Sequence, residues 1–276
     1  MRFTLLALTV SLCACQKNNF PVYSLLGSLR VLTLQATGGP EVNPGASVTI
    51  QPVISDLNGG GRNLNVHVQT CVDPGIGLGV QPSCANPDSD TTTQFSSTTL
   101  GSNNTYTGLA PTFSVSVPNV TLPTPALQYN GVNYLVIYTI SAVDGSSVTA
   151  FKRILVSDPS KTPKNQNPTF TSVSANGINL AASTAFSAAT QYLVPTFGVG
   201  SESYQVMLPD GSLKSYTENV TTTWFISDGS MENDRTFGVD TNQWNPTGKP
   251  QSRDAVMVLV SHDGRGGEGF QILQFN

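Results

Sequence analysis

Apolar and polar residues alternate along most of this chain. Arg30-Val31-Leu32-Thr33-Leu34-Gln35 alternates, and so does Ser47-Val48-Thr49-Ile50-Gln51-Pro52-Val53-Ile54. Asn63-Leu64-Asn65-Val66-His67-Val68-Gln69 alternates strictly, which puts Leu64, Val66 and Val68 on one face of a strand and His67 on the other. Thr112 to Val117 and Tyr134 to Ala142 continue the pattern, with Gly, Pro, Asn and Asp in the gaps. No stretch sustains a 3.6-residue period with caps. Ala181 to Ala189 is alanine-rich and could hold a helical turn, but Ser and Thr interrupt it. The pattern predicts an all-β chain.

Asp158-Pro159-Ser160-Lys161-Thr162-Pro163-Lys164-Asn165-Gln166-Asn167-Pro168 breaks the alternation. Its prolines cannot join a sheet, so 158–168 reads as a semi-rigid linker. The strand pattern restarts at Thr169. A shift of 119 residues superposes Asp144 on Asp263, Gly145 on Gly264 and Phe151 on Phe270. Each Asp-Gly pair separates two strands and suits the turn of a last hairpin. The expectation is two tandem immunoglobulin-like β-sandwich domains, 29–157 and 169–276. Trp224, in Thr221-Thr222-Thr223-Trp224-Phe225-Ile226, stands where such folds bury a core Trp, without an intersheet cysteine pair beside it.

The N-terminus has another character. Arg2 precedes a short apolar run, Phe3 to Leu12, too short to span a bilayer and laid out as a secretory leader. Leu12-Cys13-Ala14-Cys15 resembles the lipobox of bacterial lipoproteins. That resemblance implies cleavage after residue 14 and a diacylglycerol on Cys15, with 15–28 as a tether. Cys13 is the alternative anchor, though Leu12 is a poor residue at that cut. Gln16 stands where Asp tends to retain lipoproteins in an inner membrane, which points to an outer-membrane location. Of the four cysteines, Cys71 and Cys84 remain, an even pair suited to a disulfide in an oxidising compartment. A metal site is the rival reading, without a neighbouring Cys or His pair to complete it.

Composition narrows the function classes. Charged residues are 11% of the chain and its net charge is −4, with no Lys/Arg cluster, so nucleic-acid binding has no electrostatic footprint. Gly264-Arg265-Gly266-Gly267-Glu268-Gly269 matches G-x-G-x-x-G, but a strand pattern follows where a dinucleotide site needs a helix. Thr247-Gly248-Lys249-Pro250 lacks the Ser or Thr of a P-loop, so no nucleotide is expected. His262 adjoins Asp263, but neighbouring strand residues point to opposite faces, which argues against a triad.

Three binding candidates remain. Asp228, Glu232, Asp234 and Asp240, with Asp210, form an oxygen-rich stretch of the kind that binds calcium in some sandwiches. It fits no EF-hand, and a plain polar loop is the alternative. Asp88-Ser89-Asp90 invites the same reading. Trp244, in Asn242-Gln243-Trp244-Asn245-Pro246, either anchors a protein or glycan partner or folds back to cap the sandwich edge.

The last hundred residues resemble uncharacterised lipoproteins of predatory and social bacteria. The resemblance rests on Trp224-Phe225-Ile226-Ser227-Asp228-Gly229, Arg235-Thr236-Phe237-Gly238, Trp244-Asn245-Pro246 and Val256 to Gly267. It implies an exported immunoglobulin-like domain with Arg265 as its most distinctive turn residue, and it brings no activity. The sequence-based expectation is a non-enzymatic, lipid-anchored envelope protein. Loops at 72–111, 228–250 and 263–269 would face a protein or glycan partner. A periplasm-facing structural subunit is the second reading, and a carboxylate-based glycosidase the third.

Overall fold

The computed structural model describes residues 23–77, 79–248 and 252–276. The leader and Cys13, Cys15 and Gln16 lie outside the described residues, as do Lys249 and Pro250.

The first unit is built from β1 (Arg30–Thr37), β2 (Glu41–Val42), β3 (Ser47–Ser55), β4 (Asn63–Val72), β5 (Ser89–Ser96), β6 (Thr107–Leu109), β7 (Phe113–Ser116), α1 (Pro125–Asn130), β8 (Val132–Ala142) and β9 (Ser147–Val156). The second contains β10 (Thr169–Ala175), β11 (Ile178–Asn179), β12 (Ser183–Thr184), β13 (Gln191–Val199), β14 (Ser203–Met207), β15 (Leu213–Thr217) and β16 (Thr221–Ile226). It continues with β17 (Ser230–Met231), β18 (Arg235–Phe237), β19 (Asn242–Asn245), β20 (Ala255–His262) and β21 (Glu268–Phe275). The described chain is almost entirely β, two β-sandwiches in tandem.

The two units share a topology. One sheet of the first runs β2-β9-β8-β4-β5, and one sheet of the second runs β12-β21-β20-β16-β18. In each, a two-residue edge strand pairs parallel to the last strand, and all other pairings are antiparallel. The opposing sheets are β1-β3 with β6 and β7, and β11-β10-β13-β19-β17. The hairpins β8–β9 and β20–β21 are the repeat visible in the sequence. In both turns the glycine has positive φ, 86° at Gly145 and 82° at Gly264. The preceding Asp carboxylate accepts backbone N–H groups of the turn, from Ser146 in one and from Arg265 and Gly267 in the other. Trp224 is buried, and its Nε1 donates to Thr236 Oγ1 at 2.9 Å.

Two local elements differ from expectation. The alanine-rich 181–189 stretch holds no helix and instead supplies β12. A short helix, α1, forms where Thr124 caps the N–H of Leu127 and Pro125 occupies the first turn.

The sandwiches stack face to face. Along β20, Ala255, Met257 and Leu259 enter the core of the second unit, while Val256, Val258 and Val260 face the first. There they meet Leu32 of β1, Val53 of β3, and Leu26 and Leu57, with Phe225 of β16 alongside. The strand is therefore buried on both faces, as its unbroken apolar run Ala255–Val260 requires. Residues just before β1 join this seam. Leu26 N donates to Ile226 O at 2.7 Å, and Ile226 N donates to Ser24 O at 2.8 Å. The far face of the first unit is closed differently. Leu135 and Ile137 on the outside of β8 pack under the Cys71–Cys84 disulfide and Ile76.

Two stability predictions follow from this packing. Phe225→Ala removes a buried ring from the seam and costs about 3–5 kcal/mol, measured by urea denaturation. The wild-type sandwiches should unfold in one calorimetric transition, and two separate transitions would contradict a shared core. Cys71→Ser costs about 3 kcal/mol by releasing the loop that the bond closes. Reduction with dithiothreitol should lower the wild-type midpoint and leave the variant unmoved.

Candidate functional site

The linker 158–168 is packed into the seam as a polar junction. Glu41, buried at the end of the first sandwich, accepts from Lys161 Nζ at 2.7 Å, Ser157 Oγ at 2.6 Å and Asn165 N at 2.9 Å. Arg265 lies 3.6 Å from the same carboxylate and 2.7 Å from that of Glu218, with its guanidinium 4.2 Å above the Tyr204 ring. Asn165 Nδ2 donates to Asp263 Oδ2 at 2.8 Å. A second charged contact crosses nearby. Lys152, buried in β9, meets Glu268 of β21 at 3.1 Å, and Glu268 in turn accepts from Leu34 N at 3.1 Å and from the Thr33 hydroxyl.

The glycine motif at 264–269 belongs to this junction. A Cβ on Gly269 would lie 2.0 Å from Pro168 O, and one on Gly267 would lie 2.8 Å from Gln166 O. The glycines let the linker backbone run against the β20–β21 hairpin. Arg265, the distinctive residue of a loop expected to face a partner and a candidate binding residue on that account, is held by two carboxylates and a tyrosine face. The sequence signal for this was the glycine spacing itself, which marks close backbone approach as well as it marks phosphate binding.

Charge is distributed unevenly in the junction. Burial would push the Glu41 carboxyl up, but hydrogen bonds from Lys161, Ser157 and Asn165 outweigh it and hold Glu41 below its ordinary value. Burial pushes Glu218 up, against the N–H of Glu202 and the Arg265 guanidinium. Burial pushes the His262 imidazole down. Both Asp263 oxygens are committed to turn N–H groups and to Asn165. That leaves Asp263 no role in orienting His262.

Two concave places adjoin these elements. A cleft of about 260 Å³ opens between α1, the linker and the β14–β15 hairpin, lined by Tyr129, Lys161, Lys164, Glu202, Tyr204 and Arg265. The hairpin bridges to α1 through Asn130, whose side-chain amide accepts from Met207 N and donates to Met207 O, both at 2.8 Å. Its charged groups are already engaged: Lys161 by Glu41, Arg265 by Glu218, and Lys164 Nζ by Ser157 Oγ at 2.8 Å.

The other place is a slot of about 120 Å³ at the open edge of the first sandwich, lined by Val66, Val68, Phe95, Phe113 and Tyr138. Phe113 and Tyr138 stack with centroids 5.7 Å apart. Strand β5 borders the slot. Among the described residues it pairs with β4 alone, in an unbroken register from Asn63↔Ser96 to Thr70↔Ser89. Its first six residues are exposed. Sequence reasoning missed this edge because Ser89-Asp90-Thr91-Thr92-Thr93 carries no apolar alternation.

The remaining candidates are placed as follows. Trp244 is 2% exposed, its Nε1 donates to Asp228 O at 2.9 Å, and its ring lies 4.7 Å from Phe275. Of the two readings of Trp244, this geometry favours the one that folds it back: the polar residues around it form β19, which turns the indole into the core. Asp228, Glu232, Asp234 and Asp240 are not brought together. Among the described residues no group of three or more His, Cys, Asp or Glu side chains is arranged to hold a metal ion. Asp228 instead accepts from Thr247 Oγ1, and Asp234 O accepts the N–H of Trp224. Asp210 accepts from Ser212 N within the β14–β15 turn. Asp88 accepts from Tyr134 OH at 2.9 Å, and Asp90 lies 2.5 Å from His67 Nε2.

The chain matches no protein-family model and no curated protein. Among solved structures, dimeric latent PorU from Porphyromonas gingivalis aligns with 90% of this chain at 9% identity and a TM-score of 0.26. This chain spans 24% of that one. The two tandem V-type regions of VCBP3, a v-region-containing chitin binding protein, align with 90% of this chain and 98% of their own at 11% identity and a TM-score of 0.28. Likeness this distant carries no functional argument.

Glu41 gives the junction a pH signature. Its lowered carboxyl value means that its contribution is present at neutral pH and is lost as pH falls below the ordinary 4.5. Glu41→Gln leaves Lys161 buried without a counter-charge and should cost about 3–5 kcal/mol at pH 7. Urea denaturation of both proteins should show this gap narrowing toward pH 4. A gap independent of pH would mean that Glu41 acts by shape alone.

Proposed function

We propose that the chain is a non-enzymatic, lipid-anchored protein of the bacterial outer membrane, whose two sandwiches form one stiff body presenting a binding surface to a protein or glycan partner. The edge of β5, which pairs only with β4 among the described residues, carries this reading with its apolar slot. Natural sheets usually blunt such an edge with Lys, Pro or a bulge. This one has an unbroken register and no Lys or Pro between Ser89 and Ser96. The charged cleft at the junction is spent on holding the sandwiches together, so the edge is the better candidate surface. The lipid on Cys15 and the envelope location rest on the lipobox resemblance. A periplasm-facing subunit of an envelope assembly is the second reading, and a stiff two-domain body suits it equally.

Three measurements test the proposal. Labelled palmitate should enter the wild-type protein and not Cys15→Ser. Protease on intact cells should remove the body if it faces outward, and spare it until the envelope is opened if it faces the periplasm. A photo-crosslinker at Thr92 should capture a stoichiometric partner, and Thr93→Arg, which fills the slot, should abolish that capture. Capture unchanged by Thr93→Arg would remove β5 from the interface.

A further inference from the structure

Both sheets of the first sandwich end on the same side. One ends at β5, which among the described residues pairs with β4 alone. The opposing sheet ends at β6 and β7, which among the same residues pair with β3 alone. The slot makes neighbours of these ends. Thr91, Thr93 and Phe95 line it from β5, and Pro111, Thr112 and Phe113 line it from the other sheet. Leu109, at the end of β6, is exposed. An edge strand aims alternate N–H and C=O groups away from its one neighbour. This side therefore offers a row of backbone donors and acceptors beside an apolar opening.

What distinguishes the side is its lack of charge. No Asp, Glu, Lys, Arg or His occurs from Thr91 to Val143, a stretch that holds most of β5 and all of β6, β7 and β8. β5 itself carries one charge, Asp90. That carboxylate is turned to the outer face and committed there, 2.5 Å from His67 Nε2 and 2.9 Å from Gln69 Nε2. A charged peptide meets nothing here that recognises it. The partner that fits is an uncharged extended strand with small hydroxyl side chains. β5, eight residues long with Thr91, Thr92 and Thr93 at its centre, is such a strand.

We propose that the occupant is a second copy of this chain, with β5 pairing antiparallel to β5 about a two-fold axis at Thr92. The inference rests on the reading of β5 as the binding edge and names its partner. About that axis Thr92 meets its own mate on the outer face, and Thr91 meets Thr93 of the second copy beside the slot. Threonines paired across strands are favourable. Asp90 meets Gln94 of the second copy. One hydrogen of Gln94 Nε2 goes to Asn65 Oδ1, and the other remains for that carboxylate. The two Asp90 side chains stand four residues apart along the ladder, ~14 Å, whereas a parallel in-register pairing would set them side by side. The sheet β2-β9-β8-β4-β5 then runs on into that of the second copy. The contact is isologous and uses the β5 edge of both copies, so pairing through it stops at two.

The experiment uses the full chain, extracted from cells in mild detergent. Cys71 and Cys84 are bonded to each other, so Thr92→Cys adds a thiol on the axis. Residues directly opposite in an antiparallel pair have Cα atoms ~5 Å apart, within reach of a disulfide. Mild oxidation should join Thr92→Cys into a covalent dimer that dithiothreitol separates. Asp90→Cys should stay single, as should the wild type, which controls for the other cysteines. Thr92→Lys sets two ammonium groups opposite each other and should weaken the dimer by about fivefold in sedimentation. Dimers from Asp90→Cys as readily as from Thr92→Cys would overturn the antiparallel register. A wild-type dimer unmoved by Thr92→Lys would place the contact elsewhere. A monomer whose Thr92 photo-crosslink holds a different protein would overturn self-pairing and keep the β5 edge. A monomer with no crosslink at Thr92 would overturn both.

Discussion

The structure depends on one apolar contact: the outer face of β20 against the outer faces of β1 and β3. Val256, Val258 and Val260 would be stranded in water if the second sandwich stood alone. So would Leu32, Val53 and Leu57 of the first. Burying the two sets together removes both liabilities. Everything polar at the junction serves this contact. The linker is short, crosses the edge of the stack and must bury part of its backbone, so it needs partners. Glu41 accepts the Asn165 N–H, Asp263 accepts its side-chain amide, and Gly267 and Gly269 leave room for the linker carbonyls of Gln166 and Pro168.

Much of the fold was legible in the sequence because alternation reports directly on half-buried strands. The strands around Leu64 and Ile50 and the paired Asp-Gly turns are of this kind. The relation between the sandwiches was less legible, yet its mark was present. Ala255-Val256-Met257-Val258-Leu259-Val260 does not alternate, and a strand without alternation is covered on both faces. The linker misled through its prolines. They exclude it from sheets, but they do not keep it in solvent, and Lys161 and Asn165 are buried there.

The site was harder to read, for physical reasons. Trp244 sits among Asn, Gln and Pro, a context that suggests a loop. What buries it is the packing of Phe275 of β21 and of Phe186, two residues past β12, which local sequence does not show. The carboxylates at 228–240 are close in sequence, but they are not gathered around one point, and proximity along a chain is not convergence of side chains. Arg265 was conspicuous as a residue, while its partners Glu41 and Glu218 lie far away in sequence. The β5 edge was invisible because threonine is as common on a covered strand as on an open one.

The two sandwiches share one strand order, yet they touch through non-equivalent faces: the β1-β3 sheet of the first meets the β20-β21 sheet of the second. Such a contact has no two-fold symmetry and in principle could be repeated by a third unit and a fourth. The face of the first sandwich equivalent to the one buried in the second is the outside of β8 and β9, and there the loop tied by Cys71 and Cys84 lies over Leu135 and Ile137. The disulfide loop therefore does for the first sandwich what the first sandwich does for the second: it covers the apolar outside of the equivalent strand pair.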